Sequence, residues 1–211
     1  DFNLIPLPNI FPLLKLTLPL AALTFLLVLS QRLGVLTTTL LLGDSATGIF
    51  SSVTRIVDGL KLGHYAILGA LLPILSRRAP EAAYSFRQGF ILLIVVSLLL
   101  SIALTVFPHL IISIIYGNEF ISATNYLSLF GWSLIPYTVS SFISYHLIAQ
   151  SRETLLVKAT AVSLAACLAL SLWLIPIFQV QGAIYAALVG EIIQAIIFLI
   201  ASRPSTFNLR P

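Results

Sequence analysis

The segment from Thr47 to Arg78, TGIFSSVTRIVDGLKLGHYAILGALLPILSRR, has the length of a membrane helix but carries four ionisable residues. They are Arg55, Asp58, Lys61 and His64. A charged side chain at mid-bilayer depth costs about 2.5–3.5 kcal/mol on insertion scales, so such residues usually face a protein interior or a watery cavity and mark a pathway. The segment therefore predicts a membrane helix that lines a polar pathway.

The composition of the whole chain indicates that lipid is its solvent. Of 211 residues, 59% are hydrophobic and only 9% are charged, and the mean hydropathy is +1.06. Polar groups are too few to cover a soluble surface. At about 20 apolar residues per span, the length allows six helices with short connections. We expect a single domain, an all-α integral membrane protein.

Charge and cysteine content exclude several classes of protein. The net charge is +4, but the basic residues are scattered at predicted helix ends instead of forming a phosphate-binding stripe, so we expect no nucleic-acid partner. Cys167 is the only cysteine and lies in an apolar run, which predicts a core residue without a disulfide or metal site. The chain has no methionine, even at position 1, and we expect it to be a fragment of a longer protein.

Hydrophobic runs and turn residues divide the chain into six predicted spans. A linker or interfacial lead-in covers 1–12 and a cytoplasmic tail covers 203–211, with a broken apolar stretch at 108–124 placed at the membrane interface. Pro136 predicts a kink and Pro176 the end of the fifth helix. Small residues spaced by four on the fifth and sixth helices predict close helix packing. The predicted helices are 13–42, 46–76, 87–107, 125–149, 155–175 and 182–202.

The distribution of basic residues predicts the orientation. The three connections on one side, around Asp44, Glu119 and Gln179, contain no lysine or arginine. By the positive-inside rule the other side is cytoplasmic, so both ends of the chain are expected there. Three basic residues remain within the membrane, namely Arg32, Arg55 and Lys61. Those on the cytoplasmic side are Lys15, Arg77, Arg78, Arg87, Arg152, Lys158, Arg203 and Arg210.

Residue counting places several of these charges at one depth. The first two helices form a hairpin through a predicted turn at residues 43–46, in which Asp44 or Ser45 could cap the second helix. Arg32 and Arg55 each lie about nine or ten residues from that turn, roughly 14 Å below the outer surface at 1.5 Å per residue. Glu191 lies about as far into the sixth helix.

We take six residues as the candidate site: Arg32, Arg55 and Lys61 for substrate binding, and Asp58, His64 and Glu191 for coupling or charge pairing. The three cations exceed the two carboxylates by one, which favours an anionic substrate, and arginine suits phosphate because its planar fork binds two oxygens. No metal site, cofactor or nucleotide-binding loop is expected, so a gradient of H⁺ or Na⁺ could drive transport.

A purely structural interpretation of the same residues stays open. Asp58 lies one helical turn from both Arg55 and Lys61, so these three could form an ion network that only allows the helix to insert. Arg32 could pair with Glu191 and lock two helices together. His64 could be a neutral buried histidine bonded to the backbone.

Two series of motifs resemble the polysaccharide transporters, the Wzx-type lipid-linked oligosaccharide flippases of the MATE-like superfamily. The first series is Leu18-Pro19, GDSATGIFSSVTRIVDGLK at 43–61, and Leu72-Pro73 before Ser76-Arg77. The second is IYGNEF at 115–120, Ala149-Gln150, Ile175-Pro176 and QGAIYA at 181–186. Their order and spacing over about 13–200 are similar to the C-terminal lobe of that family.

The resemblance implies one six-helix lobe of a two-lobe transporter that works by alternating access, with the N-terminal lobe missing here. It implies a location in the bacterial cytoplasmic (inner) membrane and a partner that is an anionic, polyprenyl-pyrophosphate-linked sugar. Basic residues on cavity-facing helices of that family are thought to hold the pyrophosphate, and Arg32 and Arg55 fit this pattern best.

Other functions remain as alternatives. A MATE-type exporter of drug cations needs more acidic than basic cavity groups, and a lipid II-type flippase would share the pyrophosphate chemistry. An enzyme of glycan assembly needs a catalytic outer loop, for which 108–124 offers only His109 and Glu119, so we expect no enzyme. A structural membrane subunit would have its charges paired with no cavity between them.

Overall fold

A computed structural model describes the backbone of residues 10–75, 80–150 and 152–202, and the side chains of 17–18, 20–69, 87–150 and 152–202. Within these ranges the regular structure is entirely helical, which confirms the all-α prediction. Two short 3₁₀ helices, Asn118–Ala123 and Gly131–Ser133, interrupt the path. The α-helices are α1 (Ile10–Leu42), α2 (Asp44–Leu75), α3 (Pro80–Val106), α4 (Pro108–Tyr116), α5 (Thr124–Phe130), α6 (Leu134–Ala149) and α7 (Glu153–Ser202).

Three of the described helices are long and apolar enough to cross a membrane. They contain Leu20–Leu42 in α1, Arg87–Val106 in α3 and Glu153–Ser202 in α7. Many large apolar side chains on these helices point outwards, as expected of helices that contact lipid; Leu40, for example, is 83% exposed. The structure thus has the helices of a membrane protein, whereas a complete six-span lobe stays a prediction.

Helices α1 and α2 form a tight antiparallel hairpin. Gly43 alone separates them, with a φ of 80° that a residue with a side chain rarely adopts. The predicted four-residue turn is therefore too long, because α2 already begins at Asp44. The Thr47 hydroxyl donates to the Gly43 carbonyl at 2.7 Å. Further along, a Cβ on Gly34 would lie 2.8 Å from the ring of Phe50, so the two helices are in close contact.

The predicted helix at 125–149 is divided where Pro136 disturbs it. Proline has no N–H, so Pro136 cannot bond the carbonyl of Trp132 one turn earlier. The 3₁₀ turn Gly131–Ser133 lies at that level and joins α5 to α6. The Ser101 hydroxyl on α3 donates to the Gly131 carbonyl at 2.9 Å, which fixes this turn against α3.

Helix α7 is itself a hairpin. At Gln179 the backbone leaves helical geometry, with φ 54° and ψ −132°, so we divide α7 into a first arm, 153–178, and a second arm, 180–202. Pro176 lies inside the first arm and does not end it, contrary to expectation. A Cβ on Gly190 would lie 2.9 Å from the sulfur of Cys167. The predicted small-residue faces therefore pack against each other.

The largest group of buried side chains joins α2, α3, α5 and α7. A second group joins α1, α6 and both arms of α7 around Leu147 and Phe198, and a third joins α2, α3 and α6 around Leu68 and Leu93. Helix α2 contributes to the first and third groups and packs against α6 and α7. The largest group includes Phe50, Val53, Val57, Leu104, Leu127 and Ile184.

Candidate functional site

Lys61 is the centre of the charged cluster. Its ammonium group lies 2.8 Å from a carboxylate oxygen of Glu191 on the second arm of α7 and 3.4 Å from Asp58 one turn earlier on α2. Lys61 is only 9% exposed, and its Nζ also lies 4.7 Å from the centre of the Tyr137 ring. Two carboxylates and an aromatic face thus replace the water that a buried ammonium group loses.

The buried position of Lys61 follows from the spacing of α2. Apart from Ser52, the buried side chains of this helix recur at intervals of three or four residues, which forms one continuous stripe. Arg55 and Asp58 fall outside the stripe and are exposed. This periodicity is visible in the sequence and separates Lys61 and His64 from Arg55 and Asp58 on the helix surface. The stripe consists of Phe50, Val53, Val57, Lys61, His64 and Leu68.

A cavity of about 100 Å³ opens beside the Lys61 ion pairs, between α1, α2, α5 and both arms of α7. Besides Lys61, its charged lining consists of Asp58 and Glu191, so the two carboxylates give the cavity one net negative charge. The other polar side chains around it were not among the predicted site residues. They are Ser30, Gln31, Thr54, Ser163, Ser171 and Gln194.

Arg55 belongs to a different pocket. Its exposed side chain lines a space of about 300 Å³ at the first turns of α2, which Tyr116 and Phe120 also line. The rings of these two aromatic residues lie 5.4 Å apart. The hydroxyl-bearing residues Thr47 and Ser51 complete a polar wall beside the guanidinium group. Arg55 is therefore separated from Lys61, although both were predicted to share one site.

Arg32 is exposed on α1 and borders neither space. The proposed alternative pair of Arg32 with Glu191 is wrong, because Glu191 bonds Lys61 instead. Among the residues whose side chains are described, no carboxylate lies within salt-bridge distance of Arg32 or Arg55. The six candidate residues are thus divided into a paired cluster of Asp58, Lys61 and Glu191 and two unpaired arginines, with His64 apart.

His64 lies one turn beyond Lys61 and is 2% exposed. Its Nε2 atom lies 2.7 Å from the hydroxyl oxygen of Ser97 on α3, and its Nδ1 lies 3.3 Å from the carbonyl oxygen of Leu60. The Tyr137 ring packs edge-on against the imidazole, with 5.9 Å between ring centres. Tyr137 therefore contacts both Lys61 and His64. Ser97 and Tyr137 were not among the predicted site residues.

The cluster can bind, exchange or release a cation or a proton, since it combines carboxylates with an ammonium group at short distance. The two arginines can bind anions. Comparison with known proteins adds no assignment, because the chain matches no family model, no curated protein and no solved structure. The resemblance to the flippases is therefore carried by the motifs alone.

Proposed function

We propose that the chain is one lobe of a bacterial inner-membrane flippase that exports a polyprenyl-pyrophosphate-linked oligosaccharide by alternating access. The proposal rests on which of the charged residues are paired and which are not. Lys61 is compensated by two carboxylates, whereas Arg32 and Arg55 are exposed and have no carboxylate partner among the described residues. Unpaired guanidinium groups in so apolar a chain favour an anionic ligand.

The pocket around Arg55 has the chemistry that a phosphorylated sugar requires. The guanidinium fork of Arg55 can donate two parallel hydrogen bonds to one phosphate group. Thr47 and Ser51 supply hydroxyl groups beside it, and Tyr116 and Phe120 supply flat apolar surfaces against which a sugar ring can lie. In the proposed function Arg55 holds the pyrophosphate, and Arg32, at the same level of the α1–α2 hairpin, adds a second positive charge.

The cluster of Asp58, Lys61 and Glu191 has a separate role in this proposal. It joins α2 to the second arm of α7, so a change in its charge alters the contact between two helices of the lobe. A proton or Na⁺ ion taken up by Glu191 would weaken the bond to Lys61. We therefore assign gradient coupling to this cluster and substrate binding to the arginines.

Removal of both arginines is expected to abolish export. In the complete transporter, Arg32→Ala with Arg55→Ala removes two charged contacts to phosphate, each worth about tenfold or more in binding. Export of the lipid-linked sugar should fall about 100-fold, measured as surface polysaccharide in cells or as flipping in proteoliposomes. Arg152→Ala is the matched control, because Arg152 is exposed near the predicted cytoplasmic end. Normal export by the double variant, at normal protein levels, would contradict the proposal.

A drug-cation exporter is the second candidate, and one observation favours it. In the cavity beside Lys61, carboxylates outnumber basic groups by two to one. This function predicts that Glu191→Gln abolishes efflux of organic cations while Arg55→Ala leaves efflux unchanged. Efflux of a fluorescent cation from cells that express each variant therefore separates the two candidates.

A further inference from the structure

Three buried polar side chains form a continuous chain across α2, α3 and α6. His64 Nε2 lies 2.7 Å from Ser97 Oγ, and Ser97 Oγ lies 2.6 Å from Thr138 Oγ1. Ser97 and Thr138 are fully buried, and His64 nearly so. Each hydroxyl oxygen also lies 2.7 Å from a carbonyl of its own helix, that of Leu93 or Leu134. Each of the two hydroxyl groups therefore has a choice of partners.

With a neutral imidazole, the tautomer of His64 sets the direction of this chain. If Nδ1 carries the proton, it donates to the Leu60 carbonyl, and Nε2 must accept from Ser97. Ser97 has one hydrogen, so the 2.6 Å contact with Thr138 is satisfied only when Thr138 donates to Ser97. All hydrogen bonds then run from α6 through α3 to α2.

A second proton on the imidazole reverses that direction without moving a heavy atom. In the imidazolium both ring nitrogens donate, so Nε2–H donates to Ser97 and Nδ1–H still donates to the Leu60 carbonyl. Ser97 then donates to Thr138, and Thr138 donates to the Leu134 carbonyl. The contacts from His64 to Ser97, from Ser97 to Thr138 and from Thr138 to the Leu134 carbonyl then each contain one hydrogen.

We propose that His64, with Ser97 and Thr138, is a proton-binding site in which proton uptake reverses the hydrogen-bond chain between α2, α3 and α6. A buried histidine against a fixed donor would lose a hydrogen bond on protonation. Here Ser97 donates to the neutral imidazole and accepts from the imidazolium, because each of the two hydroxyls can rotate toward a second partner. The site thus holds a proton inside an apolar helix bundle while its three helices stay joined.

The charged and titratable groups around this site limit how a proton affects the rest of the lobe. Helix α7 contributes Glu191, which forms an ion pair with Lys61. On α3, the ionisable residue with a described side chain is Arg87, which lies ten residues from Ser97, about 15 Å along the helix. The Tyr137 ring contacts both the imidazole and the Lys61 ammonium group. The neighbouring groups are Lys61 and Tyr65 on α2, Arg87 on α3, Tyr137 and Tyr145 on α6, and Glu191 on α7.

Nitrogen NMR of His64 tests the proposal without any transport measurement, so its failure would leave the function proposed above untouched. The full chain has three histidines, and His109→Gln with His146→Gln leaves His64 as the single reporter. In labelled protein titrated from about pH 9 to 5, His64 should begin as the Nδ1–H tautomer. It should then gain a proton on Nε2 while the protein remains folded.

Substitutions at three hydroxyl residues should differ in how far they lower the titration midpoint of His64. Ser97→Ala removes the acceptor of the imidazolium, and since a hydrogen bond to a charged group is the stronger one, the titration midpoint should fall by about one pH unit. Thr138→Val should lower it less, because Ser97 can still donate to the Leu93 carbonyl. Ser101→Ala, one turn along α3, should leave it unchanged, since Ser101 bonds Gly131 and not His64.

Several results would overturn the proposal. An Nε2–H tautomer at high pH would mean that the chain already runs toward α6 before any proton is bound. Equal midpoints in Ser97→Ala and Ser101→Ala would show that Ser97 does not hold the proton. A His64 that stays neutral until the protein unfolds would show that the site binds none. The first and third results need only the reporter chain, so they stand even if a hydroxyl variant does not fold.

Discussion

Glu191→Gln is expected to lower the free energy of unfolding by about 3 kcal/mol. The substitution leaves the Lys61 ammonium group buried without its closest partner, and breaking a buried pair from one side typically costs 3–5 kcal/mol. Asp58 remains 3.4 Å away and offsets part of this loss, so we expect the lower end of that range. Unfolding in detergent micelles, followed by circular dichroism, measures the change.

Asp58→Asn is the matched control for the Glu191 substitution. The Asp58 side chain is 51% exposed and lies farther from the ammonium group, so its loss should cost no more than about 1 kcal/mol. Combining Lys61→Met with Glu191→Gln removes the uncompensated charge, and the double variant should be more stable than Glu191→Gln alone. Equal losses for the Asp58 and Glu191 variants would show that the 2.8 Å pair is not what stabilises α2 against α7.

Gly182→Ala is expected to destabilise the protein by about 3 kcal/mol or more. A Cβ at this position would clash with the carbonyl oxygen of Leu174, which is backbone of the opposite arm of α7. Backbone cannot rotate away as the end of a side chain can, so the two arms must move apart and lose their packing. Thermal unfolding of the variant in micelles measures the loss.

Gly59→Ala provides the control for the packing of the two arms. Gly59 is a helical glycine of α2 with no atom within 4 Å of the added Cβ. Alanine there should be neutral or stabilise the helix by up to about 1 kcal/mol, because glycine is the poorer helix former. If Gly182→Ala were tolerated as well as Gly59→Ala, the close approach of the two arms of α7 would be refuted.

Gly182→Ala and Glu191→Gln test two linked contacts of α7, the approach of its two arms and the ion pair to α2. The break at Gln179 reverses the chain within α7, and the close approach at Gly182 sets the distance between the two arms. Only then does Glu191, nine residues after Gly182, reach the Lys61 ammonium group on α2. A weaker arm contact is therefore expected to weaken the ion pair as well, and combining Gly182→Ala with Glu191→Gln should cost less than the sum of the two.

Much of the helical framework could be predicted from local features of the sequence. Gly43 marks the turn between α1 and α2, although the turn is a single residue, since α2 includes Asp44 from the start. Pro136 marked a disturbed helix, and the 3₁₀ turn lies one turn before it. The prediction that Pro176 ends a helix was wrong. A proline can lie inside a helix near the end of that helix, where the loss of one hydrogen bond is tolerated.

The candidate site could be predicted only in part. The sequence identifies Lys61, Asp58 and Glu191 as charges in an apolar setting, and residue counting places Glu191 near the level of Arg32 and Arg55. Depth says nothing about the direction in which a side chain points, and each residue turns the helix by about 100°. The structure accordingly places Lys61 in the interior and Arg55, six residues earlier, on the outside.

By itself, the sequence determined that this protein is helical and apolar enough to lie in lipid, because composition and hydropathy act through every residue and need no partner. It also identified the ionisable residues that lie in apolar segments and therefore need a partner or a polar cavity. Only the tertiary structure decided that Glu191 bonds Lys61, that Arg55 faces a separate pocket, and that His64 meets Ser97. These pairings depend on the rotation and approach of helices distant in sequence, which the fold of the whole chain sets.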